Sequence, residues 1–245
     1  MDDFKVWYNQ QPFLSRTYLT CVILTTTVVS FGIISPYHIN LDLVKVFSSV
    51  QIWRLITNFF FVGTFSFNII FALFFLHFAI SRIESLYSKR NYADLLYLIL
   101  FTMITLDIVG MIFSAPFLIS GFQIVLIYIW CKRRPLEIVQ FLFGIRIKSA
   151  YFPFFLVGFH LLTGQNVLID VIGLAIGHVY IFLKDIYPQQ SHKDYLRTPL
   201  FFQKLVDKYI IPLSEQHNYQ NVQRNDQPQA GNVFRAFQGR GVRIG

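Results

Sequence analysis

Apolar residues along this chain gather into six stretches, at residues 18–34, 59–80, 95–113, 117–131, 152–162 and 167–183, separated by short polar breaks. Runs of this kind are expected to form membrane-crossing helices. Several fall short of the roughly 20 residues that a hydrocarbon core of ~30 Å requires. The fourth, at 15 residues, reaches only ~22 Å at about 1.5 Å per residue. Short spans thin the bilayer locally or are sheltered by neighbouring helices. The fifth can also be read as reaching back through Ala150. The first break, residues 35–58, is amphipathic, with Val44, Val46, Phe47, Val50, Ile52 and Trp53 set among polar residues. Such a segment is expected to lie in the membrane interface. The third and fifth breaks (Ser114-Ala115-Pro116 and residues 163–166) are so short that the helices they join must be antiparallel neighbours. Past Pro188 the apolar content falls. Residues 201–212 suit an amphipathic helix on the membrane face, and residues 214–236, rich in Gln, Asn, Arg and Pro, suit a disordered segment. The pattern divides the chain into a membrane domain (1–190), a juxtamembrane segment (191–213) and a polar tail (214–245).

Composition strengthens this picture. Hydrophobic residues make up 54% of the chain and charged residues 14%, which fits an all-α membrane protein with a short tail. The amino end carries Asp2, Asp3, Gln10, Gln11 and Pro12 with no apolar h-region, so no cleavable signal is expected and the first span should act as an uncleaved anchor. Cys21 and Cys131 lie within or at the ends of apolar runs, which suits buried thiols rather than a disulfide framework or a metal site. No cofactor motif, internal repeat or inverted symmetry is present. All but two of the 21 Lys and Arg residues fall on one side of a six-span topology; Lys45 and Arg54 are the exceptions. By the positive-inside rule both termini are cytosolic, and an even number of spans is required. The net charge of +8 follows this topology, so it does not point to nucleic acid.

Three motifs stand out. The last nine residues, 237–245, place Phe237 and Ile244 as apolar anchors around Gly239 and Gly241, with Arg240, Arg243 and a terminal Gly245. Glycines on an unfolded tail let the backbone lie close against a partner. This pattern resembles the SHP box, by which adaptors of the valosin-containing AAA ATPase hold its N-domain. Gln51-Ile52-Trp53-Arg54 precedes the second span. An Arg there must snorkel or hydrogen-bond loop carbonyls, and the Trp is an interface residue that can stack on the guanidinium. Gly173-Leu-Ala-Ile-Gly177 in the sixth span forms a groove for close helix packing.

Six spans, cytosolic ends, a long amphipathic first loop ending in Trp53-Arg54 and a sixth-span GxxxG together resemble the rhomboid superfamily, which includes intramembrane serine proteases. The protease pattern needs a G-x-S serine opening the fourth span and a His three residues before the first Gly of GxxxG. Ser120-Gly121 matches half of this, but Leu118 replaces the Gly and Asp170 stands where the His belongs. His178 is displaced by ~80° and ~12 Å along the helix, and His160 belongs to the fifth span. Neither is expected to complete a dyad, and Asp170 is expected to have no His to orient. The chain thus resembles a proteolytically dead member, similar to the Derlin family. That resemblance is carried by Ile33-Ile34-Ser35-Pro36, Gln51–Thr57, Arg82-Ile83-Glu84, Tyr128-Ile129-Trp130, Phe143–Pro153, Gly173–Leu183, Tyr187-Pro188, Tyr195–Pro199 and the SHP-like end; residues 61–67 are less typical.

The resemblance implies a multi-pass protein of the endoplasmic reticulum membrane. It implies a role in protein quality control, the unfolded protein response and ER-associated degradation, moving misfolded clients to the cytosol without catalysis. Implied partners are a valosin-containing-type AAA ATPase, a membrane ubiquitin-ligase complex, misfolded clients and the bilayer, in a homo- or hetero-oligomer. Polar residues within spans (Asn68, His77, Asp107, His160 and Asp170) are candidates either for a cavity lining or for helix-to-helix hydrogen bonds. The competing functions are an intramembrane protease using Ser120 and His178, and a small-solute channel.

Overall fold

In the computed structural model of the protein, which describes residues 7–87, 91–140, 144, 146–191 and 196–210, the fourth apolar stretch is the central helix. After helical residues 7–10, the helix α1 (Phe13–Ser30) starts after Pro12. Its amino end is bonded across space by Glu84, which accepts from the Leu14 and Ser15 amides at 3.0 and 2.9 Å, from Ser15 Oγ at 2.8 Å and from the Tyr92 hydroxyl at 3.2 Å. A carboxylate at a helix amino end satisfies orphan amides and complements the helix dipole. This explains why the helix begins five residues before the apolar run. The long first break folds into three short helices, α2 (Pro36–Ile39), α3 (Leu43–Ser48) and α4 (Arg54–Thr57). Ser35 caps α2 and Asp42 caps α3 through their side chains. The second apolar stretch yields its helix late: residues 61–66 are irregular, with Gly63 at φ 135°, and α5 spans Phe67–Ser85.

Then come α6 (Tyr92–Ile112) and the central α7 (Ile119–Arg133). Twelve of the fifteen residues of α7 are buried, because α5, α6 and α9 (Leu168–Ile181) surround it, together with α8 (Phe152–Leu162). A helix enclosed on all sides is apolar on all sides. The surrounding helices instead expose Ile70, Phe74, Ile104, Ile108, Val171 and Val179. In water such a surface would be a liability; facing lipid it is the expected one. Among the described residues, α1, α5 and α6, at 18, 19 and 21 residues, are long and apolar enough to cross a membrane. The helices α7, α8 and α9 have 15, 11 and 14 residues. Each of the six apolar stretches thus holds a helix, and a 3₁₀ turn at Ser149–Tyr151 leads into the fifth through Ala150.

The all-α expectation needs one correction. Ile138–Gln140 (β1) pairs antiparallel with Arg146–Lys148 (β2), with Val139 opposite Ile147. These β-branched, alternating segments are too short for a helix and suit a hairpin. It is tied down by the Ser149 amide donating to the Glu137 carbonyl at 2.8 Å, and by the Ser149 hydroxyl donating to the Arg134 carbonyl. At the other end, α9 widens into a π turn at Phe182–Ile186 before α10 (Tyr187–Ser191). Arg133 closes on this turn, pairing with both carboxylate oxygens of Asp185 at 3.0 and 3.1 Å and donating to the Tyr87 hydroxyl at 2.7 Å. The final described helix, α11 (Leu200–Tyr209), lies against α6 through Tyr97 and Phe202 and through the Thr198–Asp94 hydrogen bond. It leaves Leu200, Phe201, Leu205 and Tyr209 exposed, as an amphipathic interface helix does. The expected disordered segment and the tail motif from Phe237 to Gly245 lie outside the described residues.

Candidate functional site

The two glycines of GxxxG fix how α9 meets α7. A Cβ at Gly173 would stand 2.7 Å from the Gly121 carbonyl oxygen, and one at Gly177 would stand 2.9 Å from the Tyr128 ring. The groove is therefore filled from within the fold, by Gly121 and Tyr128. Gly121 is itself hemmed in, with Ile169 Cγ2 2.6 Å from where its Cβ would be. Backbones this close place the first turn of α7 beside the first turn of α9.

A polar cavity of about 40 Å³ opens at this end of α7. Ser120, Gln123, His160 and Gln165 supply its polar lining, and Leu76 and Ile119 part of its apolar wall. Its volume suits a few waters or one small polar group. His160, on α8, holds Nδ1 2.6 Å from Asp170 Oδ2 on α9, and both side chains are buried. This corrects the sequence reading: Asp170 does have a histidine to orient, and it is His160. The two are ten residues apart, but a tight connection through Gly164, at φ +75°, folds α8 back onto α9. Spacing alone hid the pair. Asp170 Oδ1 and Gln123 Nε2 are buried without a hydrogen-bond partner. Ser120 and His160 line the same cavity with no direct hydrogen bond between them.

His178 is occupied elsewhere. Its Nδ1 lies 2.8 Å from the Tyr128 hydroxyl, two turns along α7 from Ser120, so the pairing of Ser120 with His178 is not formed.

The remaining polar candidates are spread through the fold rather than gathered in one lining. Asp107 accepts from Asn58 Nδ2 at 3.0 Å, and Asn58 donates in turn to the Arg54 carbonyl at 2.8 Å. His77 Nε2 lies 2.8 Å from Gln11 Oε1, with the Trp7 ring nearby. Asn68 is half-buried in the first turn of α5. Of the five, only His160 lines the cavity described here.

Trp53 and Arg54 separate in role. Arg54 is 2% exposed. Its guanidinium donates to the carbonyls of Tyr37 (2.9 Å) and Asn40 (2.8 Å), to Asn40 Oδ1 (2.7 Å) and to Gln51 Oε1 (2.7 Å). Five fixed N–H donors make arginine suited to such a knot, which ties α4 to α2 and to the connections on both sides of α3. Trp53 is exposed and donates to the His38 carbonyl at 3.4 Å, leaving the guanidinium to oxygen partners. Asn58 carries no signal in the sequence, and the packing role of Gly121 and the capping role of Glu84 are visible only in the fold. A carboxylate at the end of an apolar run, as Glu84 is, was the one available signal, since such a charge requires a partner.

Comparison with known proteins covers most of this fold. The family model described as Der1-like matches residues 11–200. The chain is 34% identical to Derlin-2.1 of Zea mays over 210 residues, covering 81% of this chain and 84% of the relative. It is 35% identical to Derlin-2.2 of Arabidopsis thaliana over 210 residues, with 81% and 86% covered. It is 33% identical to Derlin-1 of Drosophila melanogaster over 208 residues, with 83% and 84% covered. The match runs from just before α1 to the start of α11, through the Arg54 knot and the glycine crossing, and the chain belongs to the Der1-like family, the Derlins.

Proposed function

We propose that the protein is an endoplasmic reticulum membrane factor for ER-associated degradation, which helps misfolded proteins cross to the cytosol and whose part in that transport is non-catalytic. The observation that carries this reading is family membership across residues 11–200, with Derlin relatives at this level of identity. In this account the chain crosses the membrane six times with both ends cytosolic. The short peripheral helix α8 would thin the bilayer beside it, since a helix of 11 residues covers ~17 Å of a core of ~30 Å. A thinner apolar layer lowers the cost of passing a polar chain.

The force is supplied from outside. Phe237, Gly239, Gly241 and Ile244 would seat in the N-domain of a valosin-containing-type AAA ATPase, with Arg240 and Arg243 adding attraction to an acidic groove. The linker from α11 to this motif, some 27 residues, is long enough to search for that partner. A membrane ubiquitin ligase would mark the clients, and the chain would work within a homo- or hetero-oligomer. The test is affinity capture from microsomes in mild detergent. Deleting the last nine residues should abolish co-purification of the ATPase while insertion and folding persist; unchanged capture would refute the docking role. A small-solute channel is less favoured, because the polar residues within helices are spread rather than aligned along one path.

A further inference from the structure

Transport assigns no task to α11, yet the outward side of this helix is ordered by chemistry. Successive helical residues turn by about 100°, which gives α11 three sides. Val206, fully buried, and the partly buried Phe202 and Ile210 face the core. Phe201, Leu205 and Tyr209, each four residues after the last, form an apolar stripe on the next side, and they are 72%, 49% and 58% exposed. Lys204 and Lys208 follow round the helix beside that stripe, and both are exposed. The Lys208 ammonium stands 5.1 Å from the centre of the Tyr209 ring, so cation and stripe share a border. Asp207, the one carboxylate of the helix, lies beyond the lysines on the side away from the stripe. Contacts also fix the depth of α11. The Thr198 hydroxyl donates to Asp94 in the first turn of α6, Phe202 packs on Tyr97 in its second turn, and Gln203 Nε2 donates back to the Thr198 carbonyl at 3.2 Å. Since α6 is long and apolar enough to cross a membrane, its first turns lie at the level of the lipid headgroups.

We infer that this side of α11 is a docking surface for acidic phospholipids of the cytosolic leaflet, with Phe201, Leu205 and Tyr209 entering the acyl region and Lys204 and Lys208 pairing with the anionic headgroups. The inference rests on the cytosolic placement of the carboxyl end proposed above. Two observations favour lipid as the occupant. The stripe lies at headgroup depth against a spanning helix, where apolar side chains reach acyl chains without leaving the interface. Its border is cationic, so the lysine stems cover apolar surface while the ammonium groups stay at phosphate level, and that charge complements the negative potential of the cytosolic leaflet. The net charge of the helix side chains is positive, two lysines against Asp207, and the exposed Arg197 just before the helix adds to it. Because the chain runs from α11 towards the docking motif, lipid seating of α11 holds the root of the tail at the membrane surface.

The test uses the full chain in nanodiscs of phosphatidylcholine, with or without phosphatidylserine, and follows amide exchange across residues 200–209 with α7 as the internal reference. Phosphatidylserine should slow exchange in α11 by up to about 25-fold, roughly fivefold for each lysine, and leave α7 unchanged. High salt should reverse the slowing, because exposed charges are screened. The double variant Lys204→Gln, Lys208→Gln changes only exposed side chains and should lose the response to phosphatidylserine. Glycerophosphoserine, the free headgroup, should not reproduce the slowing in phosphatidylcholine discs. Equal exchange in the two lipids, as a protein occupant or bare solvent would give, would overturn the inference, and so would equal slowing by the free headgroup. A response that persists in the double variant would overturn the role of the lysines. These discs hold neither ATPase nor client, so failure here leaves the docking tail standing, and failure of the tail leaves this exchange unchanged.

Discussion

Gly173 on α9 lies so close to Gly121 on α7 that a methyl group on Gly173 would meet the Gly121 carbonyl oxygen at 2.7 Å. The neighbouring atom is backbone and cannot rotate away. Gly173→Ala is therefore expected to push the helices apart and cost about 1–3 kcal/mol, as overpacking does. Gly158, in the middle of α8, has open space where its Cβ would go; Gly158→Ala should be neutral or slightly stabilising, by about 0.5–1 kcal/mol. Thermal unfolding of both variants in the same detergent checks the contrast, and equal shifts would show that the crossing is not tight.

Glu84 gathers four donors from α1 and α6. Glu84→Ala leaves the Leu14 and Ser15 amides without their acceptor, at a cost of about 1–3 kcal/mol. Amide exchange along the first two turns of α1 should rise while exchange in α7 stays as in the wild type. Protection that is unchanged at Leu14 and Ser15 would mean that α1 is held by its apolar face alone.

Arg54 should not tolerate lysine. Its four oxygen acceptors lie around a planar fork, and an ammonium point charge cannot serve them at once. Arg54→Lys is expected to loosen α2 and α3 and to raise protease cleavage between residues 36 and 53 several-fold. Trp53→Phe, which removes only one long hydrogen bond to His38, should leave cleavage near the wild-type level.

Acid should act on α3. The Lys45 amide, bonded to the capping carboxylate, holds Asp42 below the ordinary carboxylate range. A group with a lowered folded pKa contributes stability above its unfolded value and loses it as pH falls through the folded one. Exchange of the Lys45 amide should therefore quicken as pH is lowered past the usual carboxylate range, after correction for intrinsic rates. Asp42→Asn should remove that pH dependence.

The six apolar stretches were legible because continuous apolarity reports lipid or core burial directly, and each became a helix. The hairpin around Val139 and Ile147 was not, since three-residue strands carry almost no periodicity. The start of α1 was misplaced because Glu84, some 70 residues away, decides it. The Arg54 knot was half legible: an arginine at that place must hydrogen-bond, but which carbonyls it takes depends on how α2 and α3 fold. The Asp170 pairing is hidden for a specific reason: the sequence sets His160 aside as part of the fifth stretch, yet the turn at Gly164 brings it from α8 onto Asp170. Side chains that meet across a tight turn leave no regular spacing.

We propose that this Derlin couples misfolded clients to a cytosolic motor through its last residues. The most direct measurement is the half-life of a misfolded secretory protein in cells that lack the chain, with either the full protein or one ending before Phe237 restored. The account predicts a lengthened half-life without the chain, rescue by the full protein, and no rescue by the truncated one although it still inserts. A client degraded at the normal rate in cells lacking the chain, or rescue equally complete without residues 237–245, would contradict it.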